Sequence, residues 1–96
     1  MIATELLACV YVIDIQDVMR LALAKKELTA IANHPELAAV PLLIVLNKAE
    51  SKDKEAAKRQ LNLQTLSHHN WSWCFCSIRT GEGVTFVKDW IKSNTA

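Results

Sequence analysis

The stretch "PLLIVLNKAE", Pro41 to Glu50, decides how the rest of the chain is read. Its first six residues are apolar without interruption, the pattern of a short strand covered on both faces of a parallel sheet. Its last four supply an amide, an ammonium and a carboxylate. In parallel α/β sheets ligands sit beyond the carboxyl ends of the strands, so these groups stand where a binding site is expected.

Upstream, "LLACVYVI" from Leu6 to Ile13 is a second unbroken apolar run, ending at Asp14. Asp17 then suits a helix N-cap, Val18, Leu21, Ala24, Leu28 and Ile31 recur at helical spacing, and Pro35 blocks continuation. Downstream, Asp53 to Leu61 has the charged, Ala-rich look of a short surface helix, with Glu55 and Arg59 spaced for an ion pair. "WSWCFCS", Trp71 to Ser77, alternates aromatic and small residues as a third strand, and Val84, Val87, Trp90 and Ile91 mark a closing amphipathic helix. Strand and helix therefore alternate three times. That order predicts right-handed crossovers and a three-layer α/β fold with a parallel sheet. "DIQD", "NKAE" and "CSIRTGEG" should meet on one rim.

Composition narrows the function. The chain has 96 residues, of which 51% are hydrophobic, enough for one folded domain or part of one. Its 11 basic and 10 acidic side chains are mixed along the chain, so no nucleic-acid footprint is present. Three cysteines in apolar surroundings suit reduced thiols in the cytoplasm. Leu6 to Ile13 is too short to cross a bilayer and lacks the flanks of a signal peptide. Ile2 offers no myristoylation site, so no direct membrane anchor is expected.

The rim chemistry points to a specific ligand edge. A carboxylate such as that of Glu50 accepts two parallel hydrogen bonds, and guanine presents matching N1 and N2 donors where adenine does not. Asn47 adds an amide and Lys48 a long stem with a charge. A surface turn could carry the same four residues. The combination weighs more, because "NKAE" and "CSIRTGEGV" each follow a strand and are separated by one helix and one strand.

On these residues the sequence resembles the small GTPases, and within them the Arf and Arf-like family. The resemblance covers nearly the whole chain: "VYVIDIQD", the helix with "KKEL", "VPLLIVLNKAE", "LNLQTL", Asn70 with Trp71, "CSIRTGEGV" and "DWI". It implies that Asn47 contacts a guanine base, that Lys48 lays its stem along ring and ribose, and that Glu50 takes the guanine donors. Ser77 and Ile78 match the segment where a backbone N–H reaches the guanine oxygen. The family usually has Asp at the position of Glu50, so the carboxylate is pushed out by about 1.5 Å. Loss of one charged hydrogen-bond pair there would cost about 1.5 to 3 kcal/mol, or about 10-fold to 150-fold in affinity. Ile78 replaces a small residue and crowds the pocket wall.

Phosphate chemistry needs a glycine-rich loop ending in Lys and Ser or Thr, and a magnesium site. The chain has two glycines, Gly81 and Gly83, both just before the last helix, so no such loop can be written. Asp14, Asp17, Asp53 and Asp89 all lack the glycine three positions on that a phosphate-sensing DxxG element requires. The resemblance therefore implies a partial domain over residues 1–96, the C-terminal half of a P-loop NTPase fold, without phosphate loop or switch segments. Such a chain would bind GTP or GDP through the base alone, need magnesium only with the other half present, and not hydrolyse GTP by itself. The alternative is a degenerate fragment that acts as a protein-interaction module. The family implies cytoplasmic switching and vesicle-mediated transport, with regulators as partners. Leu6 to Ile13 would become an unpaired edge, open to self-association or a protein partner.

Other features read as structural. Asp17 is expected as a cap and Asp14 as a loop residue. His68, His69, Cys74 and Cys76 do not match zinc spacing. Trp71, Trp73 and Phe75 share one strand face, with Trp90 expected to cover them. Arg79 and Lys48 could grip a phosphate, but as single exposed cations they are expected to be solvated.

Overall fold

A computed structural model describes residues 7–37, 40–48, 54–66 and 70–95. Three six-residue strands, β1 (Cys9–Asp14), β2 (Leu42–Asn47) and β3 (Trp71–Cys76), alternate with three helices, α1 (Val18–Ala32), α2 (Lys54–Leu61) and α3 (Val84–Thr95). The sheet runs β1-β2-β3 and is parallel throughout. β1 begins at Cys9, two residues after the first described residue; Leu6, like Asp53, lies outside the described residues.

β2 is central and buried at every position from Leu42 to Leu46, which is why its sequence shows no alternation. Its side chains still alternate in space. Leu42, Ile44 and Leu46 pack with Leu21 and Leu28 of α1 and with Ala57 and Leu61 of α2. Leu43 and Val45 point the other way, against Val84, Val87 and Trp90 of α3. Two helices on one face and one on the other make the expected three layers.

The same phase corrects the aromatic reading. Trp71, Trp73 and Phe75 do share a face, but it is the α1 and α2 face, and Trp90 packs beneath the opposite one beside Cys74 and Cys76. The aromatic cover comes instead from α2. Lys58 Nζ lies 4.0 Å from the Trp73 ring centroid and Lys54 Nζ 4.9 Å from that of Phe75. Trp73 and Phe75 meet edge to face at 5.1 Å.

Two further expectations change. Asp17 occupies the N-cap position of α1 yet makes no side-chain cap bond; its carboxylate pairs with Arg20 Nε at 3.3 Å. Glu55 and Arg59 do not pair among the described ion pairs, and both turn toward a groove beside β3. No described element covers the α3-side face of β1, where Val10 is 38% and Val12 58% exposed, because α3 packs over β2 and β3. The three cysteines are free thiols, and burial pushes each of them up in pKa. His68 and His69 lie outside the described residues. Among the described residues no helix is long and apolar enough to cross a membrane.

Candidate functional site at the carboxyl rim

The strand register brings Asp14, Asn47 and Cys76 to one level, the last residue of each strand. Asp14 is thus the end of β1 rather than a loop residue. The three side chains continue the rows of Val12, Val45 and Cys74 on the α3 side, since residues two apart share a face.

Lys48 follows directly, with φ of +67°, a left-handed conformation that side chains other than glycine adopt at a cost. The turn sends its stem back across the rim, where Nζ reaches Asp14 Oδ2 at 2.8 Å. Asp14 Oδ1 meanwhile accepts the Gln16 N–H at 3.0 Å. The hydrogen bond from Lys48 holds the Asp14 carboxyl below the usual carboxylate range, burial works against it, and the Gln16 bond adds to the lowering. Asp14 is the residue that sequence reasoning missed. An acid at the end of one strand and a cation just past the end of its neighbour was the available signal.

Asn47 has a buried side-chain oxygen, Oδ1, with no hydrogen-bond partner among the described residues. A buried acceptor left unpaired costs about 1 to 3 kcal/mol, so this atom marks a place where a donor belongs. It sits at the head of an apolar groove of about 280 Å³, lined by Val10, Val12, Val45, Ile78 and Val87 among others.

The loop after β3 is closed by its own hydrogen bonds. The Ser77 N–H donates to the Glu82 carbonyl at 2.8 Å, and the Gly81 N–H donates to the Ser77 carbonyl at 2.7 Å. The Thr80 N–H donates to Ser77 Oγ at 3.2 Å, which explains a fully buried serine here. The Ser77 N–H is engaged, whereas the N–H of Ile78, a residue 74% exposed, has no backbone acceptor among the described residues and is open to a ligand. Gly83 has φ of +76°, and a Cβ there would stand 2.1 Å from the Phe75 carbonyl oxygen. Only glycine lets the loop pass so close to β3.

Asn47, Lys48, Ser77 and Ile78 therefore gather at one end of the sheet. Glu50 lies outside the described residues. No group of three or more His, Cys, Asp or Glu side chains that could hold a metal occurs among the described residues.

Comparison with known proteins agrees with this architecture. A profile of the ADP-ribosylation factor family matches residues 3–95. The chain is 32% identical to ADP-ribosylation factor-like protein 6 of Danio rerio, with 88% of this chain and 48% of that protein covered. It is 33% identical to ADP-ribosylation factor-like protein 1 of Saccharomyces cerevisiae, again over 88% and 48% of the two chains. The chain spans about half the length of the curated relatives it matches.

Proposed function

Because the chain belongs to the ADP-ribosylation factor family of small GTPases, we propose that its rim is the guanine-recognising half of a nucleotide site. The observation that supports the reading is the gathering of Asn47, Lys48, Ser77 and Ile78 just past the level where the three strands end, with Lys48 turned back across the rim onto Asp14. In this reading the Asn47 amide contacts the base. The Lys48 stem lies along ring and ribose with its ammonium anchored on Asp14, and the Ile78 N–H donates to the guanine oxygen. Glu50 takes the N1 and N2 donors. No step of phosphate chemistry is assigned, since the chain has neither a phosphate loop nor a described cluster for magnesium.

A second element completes the site. Val10, Val12 and the Asn47 side chain share one face, so a segment that covers the valines is placed to donate to Asn47 Oδ1. Residues 1–96 thus read as part of a domain whose other part supplies that segment and the phosphate contacts. Switching between GDP and GTP forms, with the cytoplasmic traffic role that goes with it, belongs to the completed protein.

Equilibrium binding of GDP, guanosine and ADP to the chain tests this. Base-only recognition gives saturable binding of GDP and guanosine with similar affinities and none of ADP. Equal retention of ADP, or a GDP affinity far above that of guanosine, would show that the base is not what the rim reads. If none of the three binds, the exposed valines favour the second reading, an interaction module without nucleotide.

A further inference from the structure

The opposite edge of the sheet carries a different surface. Leu42 N–H donates to the Asn70 carbonyl at 2.9 Å, and Leu42 pairs in register with Trp71. In a parallel ladder, residues whose N–H and C=O turn toward one neighbour alternate with residues turned away. Ser72 and Cys74 therefore bond to β2, while Trp71, Trp73 and Phe75 turn their backbone groups outward. Gly83 closes over the Phe75 carbonyl. The open stretch is Trp71 to Trp73, whose outward N–H and C=O groups have no backbone partner among the described residues.

Beside this stretch, on the α2 face, lies a groove of about 530 Å³ bounded by Trp71, Trp73, Glu55, Lys58, Arg59 and Asn62, among others. Its floor is aromatic and its wall holds two cations against one carboxylate. Lys58 is held over Trp73, and Arg59 has no carboxylate partner among the described ion pairs. Lys54 is different, being 4.0 Å from Glu82.

From these features we infer that the β3 edge receives an extended, acidic segment of another protein as a fourth strand. Its backbone pairs with Trp71 and Trp73, and a Glu side chain lies in the groove, methylenes on Trp71 and carboxylate between Lys58 and Arg59. Main-chain bonds supply affinity in such strand addition, and the pocket for alternate side chains supplies selectivity. A second copy of this chain is a poor occupant. β3 itself has no acidic residue, and a symmetric pairing would set Lys58 and Arg59 against their own copies. The surface shares no residue with the guanine rim.

The probe is the peptide acetyl-Val-Glu-Val-Glu-Val-amide, titrated into the isotopically labelled chain while amide resonances are followed by NMR. The Trp71 and Trp73 amides should shift saturably, with half-saturation below about 1 mM. Replacing the two Glu by Lys should weaken binding at least about 10-fold, and methylating alternate peptide nitrogens should abolish it. The double variant Lys58→Glu with Arg59→Glu should invert the preference and take the Lys peptide, a rescue that a merely structural role would not produce. The inference is overturned if no saturable shift appears in these two amides, if the methylated peptide binds as well, or if both charge versions bind equally. Shifts of the Trp71 and Trp73 amides themselves that depend on protein concentration without peptide, and persist in Val12→Lys, would assign the edge to a second copy instead, and equally overturn it.

Discussion

Replacing Gly83 by alanine forces a side chain into a place where backbone already stands. Two costs arise. A left-handed residue with a Cβ loses about 1 to 2 kcal/mol, and the new Cβ, 2.1 Å from the Phe75 oxygen and 3.2 Å from Cys76 Cα, meets main chain rather than a flexible tip. The loop must move out by about 0.9 Å to restore the 3.0 Å that real contacts respect. Overpacking of this type costs about 1 to 3 kcal/mol more. Gly81 is the internal control, because its φ is +87° but a Cβ there meets nothing within 4 Å. Gly81→Ala should therefore lose about 1 to 2 kcal/mol and Gly83→Ala about 2 to 5 kcal/mol, out of the 5 to 15 kcal/mol typical of a domain. Urea unfolding followed by tryptophan fluorescence reads the difference. With a slope of about 1 kcal/mol per molar, the two midpoints should be separated by about 2 M. Equal midpoints for the two variants would refute the close approach of the loop to β3.

Three further outcomes are expected. Tyr11, the chain's single tyrosine, donates its hydroxyl to Glu27, and its pKa is pushed up to about 12 by burial first and then by Glu27. The sign follows: the neutral form is favoured by the fold, so its stabilisation is complete below pH 10 and disappears as pH rises through about 12. Ultraviolet titration of the phenol should show the raised midpoint, and Glu27→Gln should lower it only part of the way; a midpoint at the ordinary value would rule the environment out. Asp14→Asn should cost at most about 1 kcal/mol at neutral pH, since the pair with Lys48 is half exposed and screened. The depressed carboxyl contributes above its unfolded pKa of 3.8 and ceases to contribute as pH falls through the lower folded value, so parent and variant should converge in acid. A gap that persists below that range would point to something other than the ion pair. The exposed β1 face should drive concentration-dependent self-association, visible by light scattering and reduced by Val12→Lys; a parent chain that stays monomeric would leave that face without this role.

The order of elements was legible because each has its own period. Pro41 to Leu46 shows none, as a strand buried on both faces should, and Trp71 to Cys76 alternates, as a strand with two unlike faces should. What sequence could not give is which helix covers which face. Trp90 and Trp73 looked like natural partners by chemistry, yet they lie on opposite sides of the sheet, because handedness of the crossovers, rather than likeness of side chains, decides where α3 lands. Asp14 was misread for a related reason. Its role depends on Lys48 more than thirty positions away, and only the register Asp14 to Asn47 brings them together. Asn47, Lys48, Ser77 and Ile78 could be picked out in advance because they lie immediately after strand ends, where parallel topology must gather them.

β2 has a neighbour on each side and a helical layer above and below, whereas among the described residues β1 and β3 each have an open edge. Its amides have no independent route to solvent. Hydrogen exchange should therefore be slowest from Leu42 to Leu46, at a rate set by complete unfolding, while the strands on either side exchange through smaller openings. Asn47 would inherit that steadiness, so the rim's central group is fixed to the part of the molecule that opens last.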